Sequence, residues 1–385
     1  MNIPKRLLDK ISERKEKNAW RVLTEYTGEY VDFFSNDYLG FSKESLLEDD
    51  KVASYPKALG GSTGSRLLSG NLPIFREAEE VIKDFHQSEA ALIFNSGYNA
   101  NLGVLSSLPQ RNDWVLYDEL SHASIRDGIR LSYAQSKKFK HNDLEDLEHL
   151  LKTKKETSVT GEIYIVTESV FSMDGDAPDI EVLLNLAQRY GAYVIIDEAH
   201  ALGVFGEYGS GLSQVWCQHS ALLCRVVTFG KGLGCHGAAV LCSELLREYL
   251  INFARSFIYT TALDGHSVVS ILKGYKALKT QTYQREKLLT NIAFFKREVE
   301  RLELSNYFIP SEAPIQGMLV QGNSQAKLLS RTLEENGYIA KAILSPTVPE
   351  GKERLRFCIH AYNTPSEIKG ALEIAHDFII SNLKK

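Results

Sequence analysis

The sequence predicts an α/β fold, with a large domain built on a mostly parallel sheet covered by helices and a smaller α+β domain at the C-terminus. Three observations carry this. Short, continuous apolar runs recur at Ala90–Phe94, Trp114–Tyr117, Ile163–Thr167, Tyr193–Ile196, Val226–Phe229 and Gly237–Cys242. Helical periods lie between several of them, as at Asp143–Lys154 and Asp179–Tyr190. After residue 265 this alternation gives way to a long helical stretch and then to two further strand–helix pairs. A run that is apolar throughout reads as a strand buried on both faces, and such strands alternating with helices read as a parallel sheet.

In chain order, Ile3, Leu7, Leu8 and Ile11 form one apolar stripe among charges, so residues 3–17 are expected to be helical. A short arm, Tyr30–Gly40, follows. Pro73–His86 has a helical period, with Asn71 as its expected cap. The large domain comes next, then helices over 266–304, a strand at Gly317–Gln321, a helix at Ser324–Asn336, a strand at Leu355–His360 and a helix from Pro365 to Leu383. The expected division is an N-terminal helix and arm (1–50), a large α/β domain (51–265) and a C-terminal α+β domain (266–385).

Composition excludes several function classes. Across 385 residues, Lys plus Arg is 44 against 49 for Asp plus Glu, a net charge of −5. A nucleic-acid binder would present a basic footprint. No apolar run approaches the ~18–20 residues that cross a bilayer. The N-terminus lacks the apolar core of a signal peptide. Cys217, Cys224, Cys235, Cys242 and Cys358 form neither an even disulfide set nor pairs with zinc-ligand spacing, and read as free thiols. The expectation is a cytoplasmic protein that binds neither nucleic acid nor membrane.

Two segments suggest chemistry. Val194-Ile195-Ile196 runs straight into Asp197-Glu198-Ala199-His200. Functional groups collect at the carboxyl ends of parallel strands, where Asp197 could pair with a cationic ring nitrogen. It could equally cap the following helix. Val226–Phe229 leads into Gly230-Lys231-Gly232-Leu233-Gly234, a lysine in a glycine-dense loop. Such a lysine either forms a Schiff base or is simply solvated. The G-x-x-x-x-G-K-[ST] order of a nucleotide loop is absent. Together the two segments suit pyridoxal 5′-phosphate (PLP): the lysine holds the aldehyde carbon and the acid keeps the pyridine nitrogen protonated, so the ring absorbs electrons.

Ser96-Gly97-Tyr98-Asn99-Ala100-Asn101 follows the strand Ala90–Phe94 and opens a helix whose N-terminus suits a phosphate. The glycine-rich stretch Gly60–Gly70 reads as a linker or, through Arg66 and its hydroxyls, as an ordered polar loop. His122 follows the strand Trp114–Tyr117; it is an ordinary histidine or one that stacks on a cofactor ring. Arg354 and Arg356 share one strand face, suited to carboxylate recognition or to pairing with surface acids. The short basic runs Lys137–Lys140 and Lys152–Lys155 read as solvated faces.

The chain resembles the PLP-dependent α-oxoamine synthases. The resemblance rests on SNDYLG (35–40), GSTGSRLLSGN (61–71), SGYNAN (96–101), LSHAS (120–124), HND (141–143), TESVFSMDGD (167–176), DEAHALGVFGEYGSG (197–211), TFGKGLGCHGAA (228–239) and RLRFC (354–358), in that order. These are fold-type I enzymes that condense an amino acid with an acyl thioester and release carbon dioxide. By motif position, the resemblance implies that Lys231 is the Schiff-base lysine and Asp197 the pyridinium partner. His122 would stack on the ring, His200 would bond the ring hydroxyl, and Ser172 would touch the ring. Gly97 and Tyr98 would donate backbone N–H groups to the phosphate and Thr228 its hydroxyl. Thr260 or Thr261 would reach the phosphate across a homodimer interface. Arg356 would hold the amino-acid carboxylate, with Asn36 nearby and Arg21 on the acyl substrate.

GSTGSRLLSG, SGYNAN and TFGKGLGCHGAAV are most similar to the branch that joins L-alanine to a pimeloyl thioester, carried on coenzyme A or an acyl carrier protein, in biotin synthesis. The alternative is a branch that uses another amino acid, such as glycine with acetyl-CoA. A non-catalytic partner subunit would be expected to lose the lysine, which is present. Two departures stand out: Leu263-Asp264-Gly265 replaces a common proline pair, and Asn363 stands where many relatives have histidine.

Overall fold

The computed structural model describes residues 3–43, 61–156 and 161–382, with only the backbone of 155 and 156. In chain order the elements are α1 (Lys5–Glu16), β1 (Val31–Asp32), α2 (Pro73–Phe85), β2 (Ala90–Phe94), α3 (Gly97–Ser107), β3 (Trp114–Asp118), α4 (Ala123–Leu131), β4 (Gln135–Phe139), α5 (Leu144–Glu156), β5 (Ile163–Glu168), α6 (Ile180–Tyr190), β6 (Tyr193–Asp197) and β7 (Leu222–Thr228). There follow β8 (Ala238–Cys242), α7 (Glu244–Phe253), α8 (Arg255–Ile258), α9 (Gly265–Thr280), α10 (Thr282–Arg301), β9 (Ile315–Leu319), α11 (Asn323–Glu335), β10 (Tyr338–Ile339), β11 (Lys341–Ile343), β12 (Arg354–Cys358) and α12 (Pro365–Asn382).

These elements form two compact units: residues 36–172 with 177–285, and residues 1–35 with 173–176 and 286–385. The expected boundaries were different. The one at 50/51 lies outside the described residues, and the one at 265/266 moves to 285/286, because α9 packs on α2 within the larger unit.

The larger unit holds a seven-stranded sheet in the order β2-β8-β7-β6-β5-β3-β4. Strands β4, β3, β5, β6 and β7 are paired in parallel; β8 runs antiparallel between β7 and β2, so β2 at the sheet's edge points the same way as the parallel set. Alternate residues face opposite cores. Val115, Val166, Ile195 and Val226 pack with α3, α4 and α8 on one face. Leu116, Ile165, Val194 and Ile196 pack with α5 and α6 on the other. Both faces are covered, so the strands read as unbroken apolar runs.

The basic run over Lys137–Lys140 is a solvated face, as expected: its lysines are exposed, and Gln135–Phe139 is the sheet's outermost strand, with only Phe139 buried. An outermost strand pairs on one side only, and lysines there deter pairing between molecules. Asn71 is a correction. Helix α2 starts at Pro73 with no side-chain cap, and Asn71 Oδ1 instead accepts from Arg66 Nε at 2.7 Å. The expected helical stretch over 266–304 breaks at Gln281 into α9 and α10.

In the smaller unit, β11, β12 and β9 form an antiparallel sheet, β1 pairs with β10, and α11 packs on β11 and α12. The apolar stripe of α1 stays uncovered by the described residues: Ile3, Leu7 and Leu8 are exposed and the helix has no buried residue. All five cysteines are free. No helix among the described residues is long and apolar enough to cross a membrane.

Both sequence departures have local structural roles. Asp264 caps α9, accepting from the Ser267 N–H at 2.9 Å. Asn363 Oδ1 accepts the His360 N–H at 2.8 Å and its amide donates to the Asp32 carbonyl at 3.2 Å, fixing the chain after β12.

A buried ion pair ties β6 to β7. Glu198, fully buried, accepts from Ser169 Oγ at 2.7 Å, the Leu212 and Ser213 N–H groups at 3.0 and 2.8 Å, and Arg225 Nη2 at 3.1 Å. Burial alone would raise the Glu198 pKa; Arg225 and the serine donors outweigh it and hold it below the usual value. Its contribution to stability is therefore present above the unfolded pKa and is lost as pH falls through the lowered folded value. Arg225→Met, which strands this carboxylate, should cost about 3–5 kcal/mol in urea unfolding. The double variant with Glu198→Gln should recover a large part of that loss; additive losses would contradict the pairing.

Candidate active site

The candidate site lies at the carboxyl ends of β5, β6 and β7 in the larger unit. Glu168 ends β5 and Asp197 ends β6, directly paired in register. Thr228 ends β7, and the loop beyond it closes on itself: the Phe229 N–H reaches the Gly237 carbonyl at 2.9 Å and the Gly234 N–H reaches the Lys231 carbonyl at 2.8 Å. Gly234 has φ +65°, and a Cβ there would press on the backbone of Phe41 and Ser42. The glycines let this lysine-bearing loop pack tightly behind the arm.

Lys231 Nζ lies 2.7 Å from His200 Nε2, and His200 Nδ1 lies 2.7 Å from the Tyr38 hydroxyl. Tyr38 donates to Asn36 Oδ1 at 3.1 Å. Tyr38, His200 and Lys231 thus form one continuous run of hydrogen bonds that holds the imidazole against the lysine amine.

Asp197 is buried and held at both oxygens, Oδ2 by Asn101 Nδ2 at 2.6 Å and Oδ1 by the Ala199 N–H at 2.9 Å. No helix directly follows β6, so Asp197 is not a helix cap: its Oδ1 instead fixes the turn after the strand through the Ala199 N–H. Asn101 also donates to Ser124 Oγ at 3.0 Å. His122 caps α4, its Nδ1 accepting the Ser124 N–H at 3.2 Å, while its own N–H donates to Glu168 Oε1 at 2.7 Å.

The electrostatics join these groups. Burial and the adjacent Asp197 charge push Glu168 up to about 8, against the opposing pull of Lys231. The protein packed around His122 lowers its pKa, Asp197 opposes that, and Lys231 adds to it. Lys231, Asp197, His122 and Glu168 thus share one neighbourhood.

At the start of α3, Ser96 takes the Asn99 N–H on its hydroxyl and the Ala100 N–H on its carbonyl. Among the described residues the Gly97 and Tyr98 N–H groups take no partner and are left as donors at the helix end. The Thr228 hydroxyl is buried with no hydrogen-bond partner among the described residues, and a Cβ on Gly97 would collide with it. Tyr98 and His122 rings stand edge to face at 6.4 Å. Asn95, just before this turn, donates to the Thr261 carbonyl at 2.6 Å and approaches Thr260 Oγ1 at 3.5 Å. Ser172 is half-buried in the segment after β5.

The glycine-rich stretch is an ordered loop from Gly61; Gly60 lies outside the described residues. Arg66 forms a buried bidentate pair with Glu79 at 2.9 and 3.3 Å. In the smaller unit, Arg354 pairs with Asp174, while Arg356 is buried beside Cys358. Arg21 is exposed and donates to Thr347 Oγ1 at 2.9 Å.

Sequence reasoning assigned no role to Tyr38, Asn101 or Glu168. Glu168 carried a signal, since it ends an apolar strand as Asp197 does. Asn101 is a polar residue in the otherwise apolar buried face of α3.

The family model described as aminotransferase class I and II matches residues 28–374. The chain belongs to this family. A relative from Emericella nidulans, named 8-amino-7-oxononanoate synthase, is 41% identical over 96% of this chain and 95% of its own. The solved 8-amino-7-oxononanoate synthase of Francisella tularensis aligns with a TM-score of 0.78 at 31% identity, over 91% of this chain and 98% of that one. A serine palmitoyltransferase from S. paucimobilis with bound PLP aligns at 0.86 and 25% identity, over 97% of each chain. Within the family this is a PLP-dependent α-oxoamine synthase of fold-type I, an acyltransferase.

The residues of this α-oxoamine synthase fit the cofactor. An unpartnered buried hydroxyl beside two free helix-end amides suits a phosphate. A lysine amine and a fixed carboxylate occupy one neighbourhood, as an aldehyde and a ring nitrogen require. Gly97→Ala should weaken PLP retention by about tenfold or more, because the methyl displaces the Thr228 hydroxyl; fluorescence titration after dialysis reads this, and wild-type retention would refute the phosphate pocket. Glu168, with its folded pKa raised, lends stability that is full below the unfolded pKa and is lost as pH rises toward 8. Glu168→Gln in the cofactor-free protein should narrow the difference in Tm across that window.

Proposed function

We propose that this α-oxoamine synthase condenses L-alanine with a pimeloyl thioester, with loss of carbon dioxide, to give 8-amino-7-oxononanoate in biotin synthesis. The observation that carries the reading is the Lys231 amine held 2.7 Å from His200 Nε2 in the neighbourhood of Asp197. Relatives of that name, up to 41% identical over 96% of the chain, support the substrate pair.

Bound PLP supplies an electron sink for the carbanion formed at the amino acid's Cα. Lys231 is assigned to hold the cofactor's aldehyde carbon and, as a free amine, to take the Cα proton. His200 Nε2, 2.7 Å from Nζ, orients the amine. Asp197 supplies the anion for the ring nitrogen, and Asn101 and Ala199 keep that carboxylate from rotating. His122 covers the ring, Ser172 touches it, and His200 serves the ring hydroxyl. Thr228 with the Gly97 and Tyr98 amides takes the phosphate, joined by Thr260 or Thr261 across a homodimer. Arg356 is assigned the amino-acid carboxylate, with Asn36 nearby, and Arg21 the acyl substrate. The protein is read as a cytoplasmic homodimer.

A matrix of amino acids against acyl thioesters, followed by thiol release, tests the substrates. L-alanine with pimeloyl thioester, on coenzyme A or on a carrier protein, should exceed glycine with acetyl-CoA and L-serine with palmitoyl-CoA by about tenfold or more in kcat/KM. A reversed order would replace alanine and pimelate with the winning pair. Lys231→Ala should cost at least about a thousandfold in kcat, and near-normal turnover would contradict its role.

A further inference from the structure

On the larger unit, α2 and α9 lie side by side and leave a groove of about 310 Å³ between them. Its floor and walls are apolar: Ile74, Val81 and Phe85 from α2, Val269 and Leu272 from α9. The residues recur every three or four positions on each helix, so the groove follows both axes for about 16 Å. Its volume falls within the range of small-molecule sites.

One group in this groove is out of place. Lys273 Nζ is shut off from solvent and has no hydrogen-bond partner among the described residues. The Glu77 carboxylate lines the same groove. Two more lysines, Lys276 and Lys279, stand exposed at the rim, and the Lys279 ammonium lies 5.6 Å from the centre of the Phe85 ring. A buried ammonium without an acceptor is costly, and buried cations are normally paired. The walls call for an aliphatic body and the lysine for an anionic head.

We propose that the α2–α9 groove is a second binding site, separate from the catalytic residues, for a carboxylate-headed aliphatic ligand of medium chain length, with the carboxylate on Lys273. A turn of the flexible Lys273 stem brings Nζ to the carboxylate as donor, and Lys276 and Lys279 add attraction at the entrance. Apolar contact with Val81, Phe85 and Leu272 selects the chain over a bare carboxylate such as acetate.

Decanoate is the probe, titrated calorimetrically into the PLP-loaded protein. Wild type should bind it in a one-site step that Lys273→Met weakens by about tenfold or more, the effect of losing a charge-assisted hydrogen bond. Decanol should bind wild type at least about tenfold more weakly than decanoate, for the same reason. Val81→Trp, which fills the groove from an exposed position, should abolish the step while leaving kcat and KM unchanged. Equal decanoate affinity in wild type and Lys273→Met, or no binding to wild type, overturns the proposal. So does a Lys273→Met variant that changes only the sedimentation of the protein or its capture of an acidic carrier protein, since the groove would then face a macromolecule.

Discussion

Two acids end neighbouring parallel strands side by side, and the site cannot bury both as anions. Glu168 and Asp197 are paired in register and both buried. The structure resolves the conflict by unequal support. Asp197 has an amide on one oxygen and a backbone N–H on the other, whereas the Glu168 carboxyl is pushed up to about 8. Burial beside Asp197 thus pushes Glu168 toward its neutral form, and the position of the Asp197 carboxylate is set by Asn101, reaching down from α3. Lys231 and His122 lie in the same neighbourhood as these two carboxyl groups.

The same strand end does a second, unrelated job. Glu198 follows Asp197 and is taken by Arg225, Ser169 and Ser213. Consecutive residues of an extended chain point to opposite sides, so Asp197 faces the candidate site while its neighbour locks β6 to β7. The lock matters because β7 carries Thr228 and the loop with Lys231.

Much of this could be read from the sequence because the signals were local. Strands covered on both faces appear as unbroken apolar runs, and a charged residue straight after such a run, as at Asp197, marks the strand's open end. Lys231 stood out because glycines flank it. What could not be read depends on partners distant in the chain. The phenol of Tyr38 matters only because His200 meets it, and Asn101 only because Asp197 does. Asn71 looked like a cap, but Arg66 claims its oxygen. Strand β4 lacked an apolar run because it pairs on one side alone and buries only its last residue. The two departures from the family pattern, Asp264 and Asn363, prove to be a helix cap and a backbone tie.

That outer strand has a consequence for the protein in crowded solution. Gln135, Ser136, Lys137 and Lys138 leave the sheet with one open rail of unpaired amides and carbonyls, and two of its four leading side chains are cationic. Two molecules meeting rail to rail bring ammonium groups together before any backbone can align, so fibril-like stacking is resisted from that margin by charge.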